Sequence, residues 1–411
     1  MLWTLEKAYC RGYHYFMKPA VAFLPFPEPE LLSGAGSVRK LPENVKAKGI
    51  TNVFVVTDKG VVAAGLVQGL CKALKQAGIS YTMYDDVQPN PTIQNVEDGR
   101  KLYVANGCEG IIAVGGGSPM DCAKIIGARV KNPGLSVRAM KGMFKLSVLK
   151  LPPIPWKLPP FFAVPTTAGT GSETTVAAVI SDPSTHEKFA VVDLLLMPTV
   201  AVLDPEMTLG LPPHITAATG MDALTHAVEA YIGLHATKFT DENAEKATRL
   251  IFDNLEKVYA NGADLERRNN MALASFYAGA AFTRASVGYV HAIAHNMGGM
   301  YGVAHGLANA IILPPVLEFC RAEAESRLAQ LARAGGIGRD RDSDETLSNR
   351  FIEKVKSMNL NMGIPTTIRE LKEDDIPLIA ERALQEAHPV YPVPRLMTRD
   401  ECEELVRKLL P

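Results

Sequence analysis

Short β-branched runs alternate with amphipathic stretches through the first half of the chain. Asn52–Thr57 (NVFVVT), Gly110–Val114 (GIIAV) and Phe161–Pro165 (FFAVP) read as strands, with Gly60–Ala77 and Thr92–Asn106 as helices between or beside them. That alternation predicts an α/β layer built on a largely parallel sheet. Shorter runs at Val176–Ile180, Phe189–Val192 and Val200–Leu203 add strands or a hairpin, and the Pro-rich stretch Leu151–Pro160 reads as a loop feeding a strand. After Asp204–Pro205 the period changes. His214–Ile232, Asn243–Tyr259, Leu265–Arg284, Gly306–Cys320 and Glu323–Ala334 recur at roughly helical spacing with few β-branched clusters. Pro212–Pro213 just ahead of His214 suits a helix start. The expected organisation is an α/β domain over residues 1–205 and an all-helical domain over 206–411.

One stretch departs from the amphipathic pattern. From Ala285 to Leu317 there is no Asp, Glu, Lys or Arg, a run long enough to span a bilayer. It nevertheless carries His291, His295, His305, Asn296, Asn309, five glycines and Pro314–Pro315. Such groups are expensive in lipid unless they serve a site, so a buried, polar-centred region is the better account. Three of the nine histidines fall within its fifteen residues from His291 to His305. Upstream, Asp222 and His226 stand four apart, as do His291 and His295, and an i, i+4 pair on a helix faces one way. A carboxylate with imidazoles is a mixed hard and borderline set suited to Fe(II) or Zn(II). Satisfied core histidines are the alternative.

Gly115-Gly116-Gly117-Ser118-Pro119-Met120-Asp121 directly follows the GIIAV strand and precedes an amphipathic run. Glycines there let backbone N–H groups at a helix start approach a phosphate, with Ser118 as a possible cap and Pro119 in the first turn. The run is not a GxGxxG fingerprint, and a plain turn is the alternative. A second loop, Pro165-Thr166-Thr167-Ala168-Gly169-Thr170-Gly171-Ser172-Glu173, also follows a strand, which puts both loops at the carboxyl edge of one sheet, where open α/β sheets bind ligands. Lys188 can supply charge near phosphates or be a surface lysine. Asp58 closes the strand NVFVVT; there a carboxylate accepts from ribose hydroxyls and repels a 2′-phosphate, or it is a turn aspartate.

Composition narrows the class. With 411 residues the chain exceeds a single domain of ordinary size, and 47% apolar with 21% charged residues describes a chain that buries a core. The 43 basic and 44 acidic side chains exclude a general pull toward nucleic acid or a membrane surface. Cys10, Cys71, Cys108, Cys122, Cys320 and Cys402 lie far apart without a CxxC pair, which fits a reducing compartment. The opening residues carry Glu6 where a secretory peptide needs an apolar core. A cytoplasmic protein is expected.

Four segments together carry a resemblance. GGGSPMDCAK (Gly115–Lys124), PTTAGTGSE (Pro165–Glu173), GMDALTHAVEAY (Gly220–Tyr231) and HAIAHNMGGMYGVAHGLANAIILP (His291–Pro314) make the chain similar, over nearly all of its length, to the iron-containing (group III) alcohol dehydrogenase family. The resemblance implies a dehydroquinate synthase-like fold, with an N-terminal α/β dinucleotide-binding domain and an all-α C-terminal metal-binding domain. It implies that Asp222, His226, His291 and His305 ligate Fe(II), with Zn(II) as the alternative. His295 matches a nearby histidine that is not a ligand and is a candidate for moving the alcohol proton toward solvent, with a water or a ribose hydroxyl as the alternative. The implied contacts to NAD, with NADP as the alternative, are Asp58, Asn90, Gly116, Gly117, Ser118, Asp121, Thr166, Thr167, Thr170 and Lys188. The implied substrate is a small alcohol or aldehyde, and the implied assembly a homodimer or larger homo-oligomer. Met297, Met300, Tyr301 and Val303 suggest a small aliphatic alcohol or aldehyde, with diols and hydroxyacids as alternatives. The chain departs from the common family pattern at Asn296–Met297.

Three rivals are weighed against this. A lyase of the dehydroquinate synthase type needs several Lys and Arg near the metal, whereas Arg284 is the closest to the metal-bearing segments. A metal-dependent hydrolase leaves both glycine-rich loops without a purpose. A binding role without catalysis is the third.

Overall fold

A computed structural model describes residues 2–146, 157–185, 187–339 and 341–411, without the side chains of Leu2 and Ala20. Most of the predicted Pro-rich loop, 151–156, lies outside the described residues. The chain divides into two compact units. Helix α1 (Leu2–Phe23), for which the pattern gave no expectation, groups with the helical unit, where Arg11 donates to the carbonyls of Val393 and Pro394 at 2.7 and 2.6 Å.

The α/β unit comprises Phe26–Gly210 with Ala263–Ala272. In chain order its strands are β1 (Glu30–Ser33), β2 (Asn52–Val56), β3 (Ser80–Tyr84), β4 (Gly110–Gly115), β5 (Gly142–Met143), β6 (Phe161–Pro165), β7 (Ala177–Asp182), β8 (Glu187–Val192) and β9 (Val200–Leu203). Its longer helices are α2 (Ser37–Ala47), α3 (Lys59–Ala63), α4 (Gln68–Gln76), α5 (Ile93–Ala105) and α6 (Gly117–Lys131). Six strands form one sheet in the order β1-β9-β6-β4-β2-β3, every neighbouring pair parallel. β5, β8 and β7 form a small second sheet.

The central strands are apolar throughout because both faces of the sheet are covered. Phe54, Val56, Ile111 and Ala113 pack with Val96, Met120, Ile125 and Ile126 on one side. Val53, Val55, Ile112 and Val114 pack with Leu41, Val45, Leu70 and Leu74 on the other. The predicted helix over Gly60–Ala77 is two helices, α3 and α4, because Gly65 takes a left-handed φ of 73° between them. Thr92 and Asn95 close a capping box at the start of α5, one residue inside the predicted boundary.

The helical unit contains α7 (Pro213–Ile232), α8 (Lys238–Ala260), most of α9 (Leu265–Ala285), α10 (Tyr289–Tyr301), α11 (His305–Ala334), α12 (Asp344–Asn361), α13 (Ile376–Ala387) and α14 (Arg399–Arg407). The runs Gly306–Cys320 and Glu323–Ala334 belong to one helix, α11, which passes through Pro314–Pro315. Pro314 has no N–H for the carbonyl of Ala310, four residues back. Asn359 of α12 supplies the missing donor, its Nδ2 lying 2.6 Å from that oxygen. No helix among the described residues is long and apolar enough to cross a membrane. The uncharged stretch Ala285–Leu317 instead folds into α10, a short turn and the first half of α11.

Lys124 fastens α6 to the segment after β6. Its Nζ reaches the carbonyls of Ser172, Thr175 and Ala177 and the hydroxyls of Ser172 and Thr175, at 2.7–3.1 Å. Burial pushes its pKa down to about 8 against the opposing pull of Asp121 and Glu173. Replacing Lys124 by Met strips the shared donor from five oxygens, four of them in buried contacts. We expect a loss of about 3 kcal/mol in urea unfolding, and an unchanged midpoint would show that the lysine fastens nothing.

Candidate functional site

Two constellations arise, one in each unit. In the α/β unit, β2 connects outward to β3 while β4, β6 and β9 step the other way across the sheet, so the winding reverses between β2 and β4. Ligands bind open α/β sheets at the carboxyl ends of the strands flanking such a reversal. Asp58 follows β2, Gly116–Ser118 follow β4 and Thr166–Thr170 follow β6.

The two glycine-rich loops face each other. A Cβ on Gly116 would stand 3.5 Å from the Thr167 hydroxyl, and one on Gly117 would stand 3.3 Å from the Thr170 methyl. Gly115 has a φ of 154°, and a Cβ there would be 2.5 Å from the Pro119 ring, so only glycine permits the turn into α6. Among the described residues no side chain caps the start of α6. Its N-terminal N–H groups therefore lie at the sheet edge with their donors toward any anion bound there. Asn90, at a left-handed φ of 59°, receives the Lys188 ammonium on its Oδ1 at 2.9 Å and donates its own N–H to the Ser118 hydroxyl at 3.3 Å. Thr166 donates its N–H to the carbonyl of Gly115 at 3.0 Å. Eight of the ten expected cofactor contacts thus lie along one loop-lined edge: Asn90, Gly116, Gly117, Ser118, Thr166, Thr167, Thr170 and Lys188.

The other two carry local duties. Asp58 caps α3, its Oδ1 accepting from the N–H of Val61 at 2.9 Å. Asp121 lies one turn inside α6 and accepts from the Ser172 hydroxyl and the Val179 N–H, each at 3.0 Å. One of its oxygens therefore braces the second loop and the other holds β7.

In the helical unit, Asp222 and His226 stand one turn apart on α7, His291 is in the first turn of α10 and His305 opens α11. One ligand atom from each comes together, all within 4.8 Å of one another. Asp222, His226 and His291 are buried, and His305 is 40% exposed. Burial, then the neighbouring imidazoles, holds His291 well below the usual histidine range, so it presents a neutral ring. His226 stacks between Phe282 and His291, with ring centres 4.2 and 4.6 Å away.

Asn309 reveals where these groups aim. Its Nδ2 lies 2.6 Å from Asp222 Oδ1, 3.2 Å from His291 Nε2 and 3.1 Å from His305 Nε2. A carboxylate only accepts, which fixes the amide orientation. Three lone pairs thus converge on a group with two hydrogens. One carboxylate and three imidazoles directed at a common point form a donor set that fits Fe(II) or Zn(II).

Sequence reasoning missed three partners of these residues. Glu229 accepts from His291 Nδ1 at 2.6 Å, and burial raises its pKa to about 7. Asn309 is the second. Glu386 meets His295 Nδ1 at 2.7 Å and the Tyr391 hydroxyl at 2.6 Å. Glu229 and Asn309 stand in the very segments that carry the resemblance, but their partners lie on other helices. His295 is 42% exposed and stacks on His305 with ring centres 5.3 Å apart. Of the apolar residues expected around the site, Met297 is fully buried in the core and the Tyr301 hydroxyl is committed to Asp375 at 2.6 Å. The Arg284 guanidinium lies 3.6 Å from the centre of the Phe239 ring.

The chain matches a family model described as iron-containing alcohol dehydrogenase over residues 28–205 and one described as Fe-containing alcohol dehydrogenase family, C-terminal, over residues 216–410. It is 39% identical over 379 residues to the 1,3-propanediol dehydrogenase of Citrobacter freundii, covering 91% of this chain and 95% of that protein. It is 35% identical over 390 residues to the NAD-dependent methanol dehydrogenase of Bacillus methanolicus, covering 94% and 99%. A crystal structure of a 1,3-propanediol oxidoreductase superposes with a TM-score of 0.88 at 36% identity, covering 93% of this chain and 99% of that one. With both halves matched and Asp222, His226, His291 and His305 brought together, the chain belongs to the iron-containing alcohol dehydrogenase family.

Proposed function

We propose that the protein transfers a hydride between NAD(H) and a small, aliphatic alcohol or aldehyde, with Asp222, His226, His291 and His305 holding a divalent ion. The convergence of those four donors on one point carries the reading. The ion supplies Lewis acidity for the substrate oxygen and the nicotinamide supplies the hydride chemistry. Asp222 contributes the single negative charge of the set, and the neutral His291 donates a lone pair without first losing a proton. The names of relatives point to short alcohols, one with 1,3-propanediol and one with methanol.

The α/β unit binds the dinucleotide in this proposal. Gly116, Gly117 and Ser118 approach the pyrophosphate at the start of α6, Thr166, Thr167 and Thr170 line the opposite side, and Lys188 with Asn90 adds charge and donors. Asp121 acts by bracing the second loop through Ser172. Asp58 selects NAD, because a carboxylate at the end of β2 repels a 2′-phosphate. His295 carries the alcohol proton toward solvent, supported by its exposure and its bond to Glu386. A cytoplasmic setting fits the six free cysteines.

Removing metal with a chelator should abolish NADH-dependent reduction of a short aldehyde, and Fe(II) or Zn(II) should restore it. Indifference to chelation would sink the metal reading. Asp58→Ser keeps a capping hydroxyl for Val61 while removing the charge; the NADP-to-NAD ratio of kcat/KM should rise about tenfold, equivalent to about 1.4 kcal/mol of lost repulsion. His295→Ala should keep its metal, by elemental analysis, and turn over about 100-fold more slowly. Metal loss in that variant would instead place His295 among the ligands.

A further inference from the structure

We propose that Glu229 is the positioning residue of the metal centre, holding His291 in the one tautomer and ring orientation that can ligate the ion and thereby setting metal affinity. The inference rests on the metal reading of Asp222, His226, His291 and His305.

Both Glu229 oxygens are engaged within one turn of α10. Oε2 meets His291 Nδ1 at 2.6 Å, and Oε1 accepts the N–H of Val290 at 2.8 Å. The opposite ring nitrogen, Nε2, lies 3.2 Å from Asn309 Nδ2, whose identity as a donor is fixed by Asp222 Oδ1 at 2.6 Å. Nε2 must therefore accept. A neutral imidazole that accepts at Nε2 carries its proton at Nδ1, and the only arrangement consistent with both contacts is Nδ1–H donating to the Glu229 carboxylate. The two ends of the ring agree, and the lone pair is left on the side of Asp222 and His305.

Local packing makes room for this carboxylate. Gly288 immediately precedes α10, and a Cβ there would stand 2.8 Å from Glu229 Oε1. Glu229 sits on α7, seven residues after Asp222 and three after His226, so one helix supplies two ligands and the group that aims a third. The side chains of Glu229 and His291 are only 3% and 4% exposed, so water does not compete for the bond.

A purely structural alternative is that Glu229 merely clamps the start of α10 through Val290. Glu229→Gln separates the two roles. Its carbonyl oxygen still accepts from Val290, while its –NH2 placed against Nδ1 favours the tautomer with the proton on Nε2, the atom that must ligate. Metal-stripped E229Q should melt close to metal-stripped wild type and bind NADH equally well. Zn(II) affinity, measured by competition with a chromophoric chelator, should fall roughly 10- to 100-fold. At saturating Co(II), its ligand-field absorption bands should differ from those of wild type. Gly288→Ala, which crowds the same carboxylate while leaving every ligand in place, should lower Zn(II) affinity in the same direction and serves if E229Q does not fold. Wild-type Zn(II) affinity in folded E229Q or in G288A overturns the proposal alone. Wild-type protein that binds neither Zn(II) nor Co(II) overturns the metal reading beneath it.

Discussion

A Cβ on Gly306 would stand 2.6 Å from the carbonyl oxygen of Ala218. That distance measures how closely the first turn of α11 lies against α7, and the cluster of Asp222, His226, His291 and His305 depends on the approach. Side chains of Asp and His are short, so backbones must come near one another before donors on three helices can share a point. Glycine at the crossing removes the atom that would hold the helices apart. The rest of the site follows from that proximity. Asp222, His226 and His291 lose solvent, and for His291 burial favours the neutral ring that can donate to a cation.

The α/β unit meets a different requirement with the same device. An anion held by backbone N–H groups needs a chain that turns sharply and presents no side chain at the point of approach. Gly115 supplies the turn and Gly116–Gly117 the bare surface. Rigidity comes from elsewhere. Lys124 and Asp121, both on α6, hold the end of the second loop through Ser172, the segment leading into β7 through Thr175, and β7 itself through Val179. A loop with so many small residues would otherwise have many conformations to lose on binding. Lys124 and Asp121 carry opposite charges on one helix, and each opposes the shift that burial imposes on the other.

What could be read from the sequence was whatever repeats locally. The central strands β2, β4 and β6 announce themselves because burial on both faces demands continuous apolar residues. The pair Asp222 and His226 was legible as a helical i, i+4 spacing, and the glycine loops as turns after strands. Edge strand β1 was not, since ELLS is short and largely exposed and has no pattern to show. The break at Gly65 and the continuity of α11 through Pro314–Pro315 also went unread. A lone glycine is tolerated or punctuating depending on its φ, and the helix survives its prolines only because Asn359, forty-nine residues from Ala310, fills the gap. Glu229, Asn309 and Lys124 share that difficulty. Each owes its role to a partner brought near by folding, and no spacing within one segment encodes it.

The split between buried and exposed histidines then acquires a chemical sense. His291 and His226 are enclosed and stack together, whereas His305 is part-exposed and His295 more so, stacked on it with planes 16° apart. A metal centre needs its interior ligands fixed and dry, while a group that exchanges protons needs contact with water. His291 and His295 each meet a glutamate at Nδ1. Glu229 lies inside and shares itself with a backbone N–H; Glu386 is one-third exposed and shares itself with Tyr391. In the proposed function the same carboxylate–imidazole contact fixes a ligand in one place and orients a proton carrier in the other, and solvent access distinguishes the two roles.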